Sequence, residues 1–531
     1  MTNPLADVKN ADVIFVTGSN TTEAHPVMGA YIRQAKEAGK KLIVADPLRI
    51  PLAHIADIYL QIKPGTSLAL CHGMLHVIFR EGLEDREYIT QNTTGLAELT
   101  ELLKKYTPEY TAEICGVKAA DIIEAARLYA GAYAASIIYC MGITQQVNGV
   151  NNVFGLSNLA LATGNLGKPG CGVNPLRGQN NVQGACDMGA LPNDYTGYQK
   201  VTDPDAQKKF EQAWGVALSD KTGLTSTEAI PAVLEDKLKM LYIIGENPAV
   251  SDADCQHAIK ALQKAFVVVQ DIFLTETAEL ADVVLPAACF AEKEGTFTNS
   301  ERRVQRVRQA VAVKGLTDWE IIMRLMNKMG YTCHYDKTED IFEEIISLTP
   351  SYAGITYERV QENNGLCWPC PNKDHPGTPI LHQGQPLIGK ALFKAMEWLP
   401  QPETLMPDYP ILLTTNRIQH HYHTRTMTAK TKAIDEYYPE GFVQINPEDA
   451  AMWGISDGEL VRVSSPRGSV EVKAKIIDIL KKGTAAMPFH WPAGANVLTC
   501  ADDLDPISKI PGLKLVGVRV EKVCFADQVK S

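Results

Sequence analysis

The chain has 531 residues, 45% apolar and 21% charged, with a net charge of −11. At about 150 residues per domain this is an ordinary folded protein of roughly three or four domains, not a disordered one. The acidic balance argues against nucleic acid, whose backbone is gripped by Lys and Arg. No run of about 18 apolar residues appears, so no transmembrane helix is expected. The N-terminus lacks the basic region, apolar stretch and small-residue cleavage site of a signal peptide, which places the protein in the cytoplasm if Met1 is its start. The 12 Cys are mostly scattered singly, as in reduced proteins, and the one tight pair, Cys367 and Cys370, reads as structural rather than metal-binding.

In chain order, residues 11–18 (ADVIFVTG) read as a buried strand ending in Gly, residues 25–41 as a helix with Gly39 near its end, and the run KLIVADP to residue 47 as a second strand. Residues 57–62 make a third strand, residues 67–81 a helix, and residues 135–144 repeat the strand-then-Gly pattern. This is a doubly wound α/β domain, assigned to residues 1–179. A second begins at residue 239: strand 239–244, helix 252–265, strand 266–273 and a short strand in 281–288. It is assigned to residues 180–290, with residues 291–400 a mixed segment completing the two. The stretch 168–235 is rich in Gly, Asn and Pro in its first half, and that half reads as an extended, ordered segment threading between domains. Beyond Pro400-Gln401-Pro402 the pattern becomes short β runs within 409–415, 442–447, 458–477 and 483–489, with a hairpin turn at Arg467-Gly468. Residues 405–531 are therefore a small β-barrel.

In open parallel sheets the ligand lies beyond the carboxyl ends of the strands. That directs attention to Gly18-Ser19-Asn20, Asp46-Pro47, the loop holding Gly65 and Ser67, Gly142 to Gln145, Gly245-Glu246-Asn247, and Gln270-Asp271. None contains GxGxxG, so the usual NAD fingerprint is excluded. Their acids and amides suit a guanine edge or a ribose, although any one glycine by itself would equally serve a tight turn. The segment 174–189 (NPLRGQNNVQGACDMG) is too polar for a core strand or a stable helix and nearly free of solvent-type charge. It reads as backbone lying against a ligand, with Arg177 as an anion clamp whose planar fork suits a carboxylate, and Gln179 beside it. A buried structural role for Arg177 is the alternative. Residues 292–306 and 414–428 also read as ligand-facing loops. His420, His421 and His423 lack the spacing of a helical zinc motif, so hydrogen bonding to a phosphate or ring of a ligand is favoured and no metal ligand is assigned.

RGQNNVQGACDMGALPNDYTGYQ closely resembles the catalytic (alpha) subunit of formate dehydrogenases of the molybdopterin oxidoreductase superfamily, most nearly the formate dehydrogenase H type. GNLGKPGCGVNPLRGQNN, AEKEGTFTNSERRVQ, HHYHTRTMT and FHWPAGANVLT carry the same resemblance in order along essentially the whole chain. It implies a DMSO reductase/formate dehydrogenase-like α/β fold, in which two doubly wound domains are followed by a C-terminal six-stranded-type β-barrel. A molybdenum or tungsten ion is held by two molybdopterin guanine dinucleotides, one per α/β domain. By this resemblance Asn20, Asp46 and Gln145 lie along one dinucleotide. Glu246, Asn247, Gln270, Asp271 and Glu301 lie along the other, with Thr275 and Asp282 in the same cofactor-binding set. Arg417, His421, His423, Asn496 and Lys514 close over the pterins from the barrel. Arg177 matches the substrate-orienting arginine and Gln179 contacts the same region. The implied reaction converts formate to carbon dioxide, with electrons leaving to an iron–sulfur subunit, a hydrogenase, or a ferredoxin- or NAD-linked partner.

One departure stands out. Members of this family begin with a cysteine motif for a [4Fe–4S] cluster, followed by a Cys or selenocysteine metal ligand and a His, and neither feature is found here. Met1-Thr2-Asn3 resembles an internal stretch just after that ligand. The expectation is a selenocysteine UGA codon read as a stop, with ligand and cluster encoded just before Met1, so that the chain as given is inactive alone. The rival readings are a nitrate reductase and a non-catalytic subunit that keeps the fold, as in respiratory complex I.

Overall fold

The computed structural model describes residues 1–523. β1 (Val13–Thr17) is buried along its whole length, which suits its uninterrupted apolar run to a central parallel strand covered on both faces. It pairs in parallel with β2 (Lys41–Ala45) on one side and β4 (Ala135–Tyr139) on the other. With β3 (Ile58–Leu60) and β5 (Gly172–Pro175) this makes a parallel sheet of order β3-β2-β1-β4-β5. The strand order reverses between β1 and β4, the position at which open α/β sheets bind ligands. The predicted helix over 67–81 forms with those bounds and ends at Gly82, whose φ of 69° stops it in the left-handed conformation. Phe15, Ile43, Leu75, Tyr129 and Ile137 belong to one buried cluster. This sheet lies in a compact unit made of Thr2–Leu176, Pro248–Ile259 and the chain from Ile380 on.

A second compact unit holds Met1, Arg177–Asn247 and Lys260–Pro379. The expectation that 174–189 avoids regular structure is corrected at both ends. Residues 174 and 175 finish β5, and Val182–Asp187 is a short helix preceded by Asn181 at φ 60°. Tertiary hydrogen bonds to that helix override its weak propensity. Next come β6 (Met240–Ile244), β7 (Phe266–Asp271) and β8 (Val283–Pro286), parallel in the order β8-β7-β6. Register places Met240 beside Phe266 and Val268 beside Val283 on one face. That face is open, with Phe266 50%, Met240 48% and Val283 38% exposed. Residues 292–306 form a hairpin rather than an open loop: β9 (Gly295–Thr298) and β10 (Arg303–Val307) pair antiparallel, and β11 (Leu366–Cys367) adds to β10.

The barrel belongs to the first unit. Its strands are β12 (Ile411–Asn416), β13 (Phe442–Ile445), β14 (Leu460–Ser465), β15 (Gly468–Ile476), β16 (Thr484–Pro488) and β17 (Val516–Lys522), closed in the order β12-β16-β13-β15-β14-β17. The first five fall on the predicted β runs. The sixth, VGVRVEK, lies outside them, although its alternation is a strand pattern. The β14–β15 turn is Pro466-Arg467, one residue earlier than read, because Gly468 already pairs with Ser465. No helix of the described residues is long and apolar enough to cross a membrane.

Candidate functional site

At the switch point the loops after β1 and β4 meet backbone to backbone. The Gly142 amide donates to Gly18 O at 3.1 Å. A Cβ on Gly142 would lie 2.6 Å from Gly18 Cα and one on Gly18 2.8 Å from Gly142 C, so only glycine permits this approach. Immediately after Gly18, Ser19 Oγ, Asn20 Oδ1, Thr21 Oγ1 and Thr22 Oγ1 are all buried with no hydrogen-bond partner among the described residues. An unmet buried polar group costs about 1–3 kcal/mol. A core would not gather four in one loop, whereas a crevice built for a polar ligand would.

The barrel brings cations to the same crevice. Lys514 donates its backbone N–H to Gln145 O at 3.0 Å and its Nζ to Thr415 O at 2.9 Å. Burial, then the neighbouring Arg417, pushes the Lys514 ammonium down to about 8. Burial pushes the Asp46 carboxyl up to about 7, against the Leu48 amide and Lys514. Burial also lowers Arg417, whose guanidinium lies 5.4 Å from the Phe489 ring centre. His423 is held neutral, pushed down to about 4 by burial and then Arg417. His490, absent from the predicted set although it stands in the FHW motif, orients this loop. Its Nε2 accepts from the Ile418 amide at 3.1 Å and its Nδ1 donates to His423 O at 2.5 Å, which requires the neutral ring. The crevice thus pairs cationic and amide donors with a carboxyl group, a set that suits a phosphate-bearing ligand with a polar base.

Other predicted residues of this unit have hydrogen-bond partners within the chain. His421 has both ring nitrogens engaged, by Thr428 Oγ1 at 3.0 Å and Tyr438 O at 2.8 Å. Asn496 Nδ2 donates to Val250 O and Ser251 O. Gly65 O accepts from Trp398 Nε1 at 2.9 Å, which puts this loop, Ser67 included, under the chain's own cover after edge strand β3. Glu403, Cys500 and Asp503 cluster like metal ligands, but both Glu403 oxygens hold the Arg467 guanidinium at 3.0 Å.

In the second unit, Arg177 and Gln179 are half-buried, and the Arg177 amide donates to Ser300 Oγ at 3.3 Å. Asn181 Oδ1 accepts from the Thr298 amide at 2.9 Å. Glu301 accepts from Arg303 Nε at 2.7 Å in the β9–β10 turn. Beyond β6, Gly245 has φ 64° and Glu246 is exposed. Asn247 Oδ1 accepts from the Thr277 amide and hydroxyl and its Nδ2 donates to Glu276, while Gln270 Oε1 accepts from Tyr242 Oη and its Nε2 donates to Asp318. Asp271 and Thr275 accept from the amides of Phe273 and Ala278. Asp282 is a correction. It accepts from the Val267 amide at 2.8 Å at the amino end of the sheet, opposite the loops that follow β6 and β7, and serves to anchor β7.

A parallel sheet with an unsatisfied polar crevice at its switch point, joined in one unit to a six-stranded barrel that lends it cations, defines a dinucleotide-cofactor protein. Residues 1–328 match the molybdopterin oxidoreductase family and residues 411–517 the molybdopterin dinucleotide binding domain. The chain belongs to the molybdopterin oxidoreductase family. The F420-dependent formate dehydrogenase subunit alpha of Methanocaldococcus jannaschii is 52% identical over 98% of this chain and 78% of its own length. Formate dehydrogenase H of Escherichia coli is 41% identical over 99% of this chain and 75% of its own. The assimilatory nitrate reductase catalytic subunit of Bacillus subtilis is 35% identical, with 98% and 76% covered. The acetylene hydratase of Pelobacter acetylenicus shares the fold, with a TM-score of 0.77 at 21% identity over 98% of this chain and 81% of that one. The orphaned polar atoms from Ser19 to Thr22, with Arg417 and Lys514, fit a molybdopterin dinucleotide in the first unit.

Proposed function

We propose that this protein oxidises formate to carbon dioxide, reversibly, as a molybdenum or tungsten enzyme carrying two pterin guanine dinucleotides. The observation that carries the reading is the 52% identity, continuous over 98% of this chain, with a formate dehydrogenase alpha subunit. The Arg177 loop supplies the chemistry that such a substrate needs. The reaction is HCOO⁻ → CO₂ + H⁺ + 2e⁻. When bound, the cofactor supplies the two-electron acceptor. Arg177 binds the formate oxygens bidentately and aims the C–H bond, and Gln179 donates a further hydrogen bond that resists tumbling of so small an anion.

One dinucleotide is assigned to the first α/β domain, residues 1–179, against Asn20, Asp46, Gly142, Gln145, Arg417, His423 and Lys514. The other is assigned to residues 180–290, at the loops of Gly245, Glu246 and Asp271. Electrons leave to an iron–sulfur subunit, a hydrogenase, or a ferredoxin- or NAD-linked partner, in the cytoplasm. Formate oxidation and nitrate reduction by the full gene product, assayed side by side with artificial electron carriers, test the reading. Formate turnover is expected, and nitrate turnover without it would overturn the proposal. Metal and pterin analysis of the same preparation decides the cofactor.

A further inference from the structure

Asp187, the last residue of the helix Val182–Asp187, is completely buried. Four neutral donors converge on it. Gln183 Nε2 and Tyr198 Oη each donate to Oδ1 at 2.8 Å. Tyr352 Oη donates to Oδ2 at 2.5 Å and Trp368 Nε1 at 2.8 Å. Four donors and no acceptor in this set match a carboxylate, which is acceptor-only at both oxygens. A buried carboxylate is a costly way to fill a core, since apolar side chains of similar volume do it as well or better.

The network closes on the substrate loop. Tyr352 Oη also lies 3.3 Å from Thr298 Oγ1, and the Thr298 amide holds Asn181 Oδ1 at 2.9 Å. Ser300, just beyond β9, holds the Arg177 amide at 3.3 Å. The span 177–181 is therefore tied at its start by Ser300, at its end by Thr298, and through the helix that leaves it by Asp187. We propose that Asp187 is a positioning residue for the substrate anion: its hydrogen-bond hub fixes the loop that carries Arg177, so that the guanidinium is oriented before formate arrives. This rests on the reading of Arg177 as the formate clamp.

The test is steady-state kinetics on the full, cofactor-loaded gene product, normalised to bound molybdopterin. Asp187→Asn keeps the volume but turns an amide N–H₂ toward donors. It is expected to raise KM for formate about tenfold or more while kcat changes less than about threefold. Tyr198→Phe, which removes one donor, should raise KM about threefold. An unchanged KM in both variants, or losses that follow cofactor content alone, would overturn the proposal. If Asp187→Asn does not accumulate as folded enzyme, Tyr198→Phe and Tyr352→Phe decide it by the same criterion. Parental kinetics in Arg177→Lys would defeat the functional reading and this proposal with it. An impaired Arg177→Lys beside parental Asp187 and tyrosine variants defeats this proposal alone.

Discussion

Thr21 shows how a single residue separates folding from binding. Its hydroxyl is buried and has no partner among the described residues, so it costs the ligand-free chain stability. Thr21→Val, nearly isosteric, should stabilise cofactor-free protein by about 1 kcal/mol in chemical denaturation while lowering the pterin retained on purification. Stability lost in the cofactor-free state would show that the hydroxyl serves the fold. Arg177→Lys keeps the charge but loses the planar fork, and formate kcat/KM should fall about 100-fold or more in the loaded enzyme. Near-parental kcat/KM would remove Arg177 from the site. The loops that carry Asn20, Asp46 and Gln145 could be located from the sequence because strand ends can be read from apolar runs that stop at Gly or Asp. Asp187 was not, because two of its four donors, Tyr352 and Trp368, come from 165 and 181 residues away. Sequence periodicity carries no trace of such pairings.

Among the elements, β6, β7 and β8 form a parallel sheet with one open apolar face. Parallel sheets are ordinarily covered on both faces, and open apolar patches bind hydrophobic dyes and promote association. The double variant Phe266→Lys/Val283→Lys should therefore bind less of such a dye and self-associate less than the parent, as fluorescence and light scattering would show. Unchanged dye binding would mean that the face is covered in solution. In the barrel, Arg467 at the β14–β15 turn forks onto Glu403 and also donates to Leu498 O at 2.8 Å, while Glu403 accepts from the Gly517 amide at 2.9 Å. One ion pair so ties the chain entering the barrel to its hairpin and last strand. Arg467→Ala strands a buried carboxylate and should cost about 3 kcal/mol in unfolding free energy. A loss below about 1 kcal/mol would mean that water reaches Glu403 and that the pair acts as a surface bridge.

Over the whole molecule, acid sensitivity follows from imidazoles buried in neutral form. His72 lies in the core against Tyr106, at 4.6 Å between ring centres, and burial pushes it from its ordinary 6.5 down to about 4. Between those values the unfolded chain binds a proton that the folded chain refuses, so this group's contribution to stability falls as pH drops from about 6.5 to about 4. Asp46 acts in the opposite sense: pushed up to about 7, it takes a proton in the folded state first and favours folding as pH falls. His72→Phe isolates the first effect. Denaturation midpoints at pH 7 and pH 4.5 should lie closer together in this variant than in the parent, and an unchanged gap would mean that His72 is solvated.

What the sequence alone determined is whatever repeats locally. The runs of β1, β2 and β4, the helix over 67–81 and five of the six barrel strands follow from apolar periodicity and Gly punctuation, and the family follows from motifs kept in order. Tertiary structure decided which polar groups the protein consumes and which it leaves to a ligand. His421, Asn247, Gln270 and Asn496 carry the right chemistry in the right loops, yet each already spends hydrogen bonds on other parts of the chain. Ser19 and Thr21, ordinary in the sequence, are left buried and unsatisfied beside Gly18. Hydrogen-bond satisfaction is a property of the packed chain, because it depends on which distant donors arrive, and no spacing along the sequence encodes that.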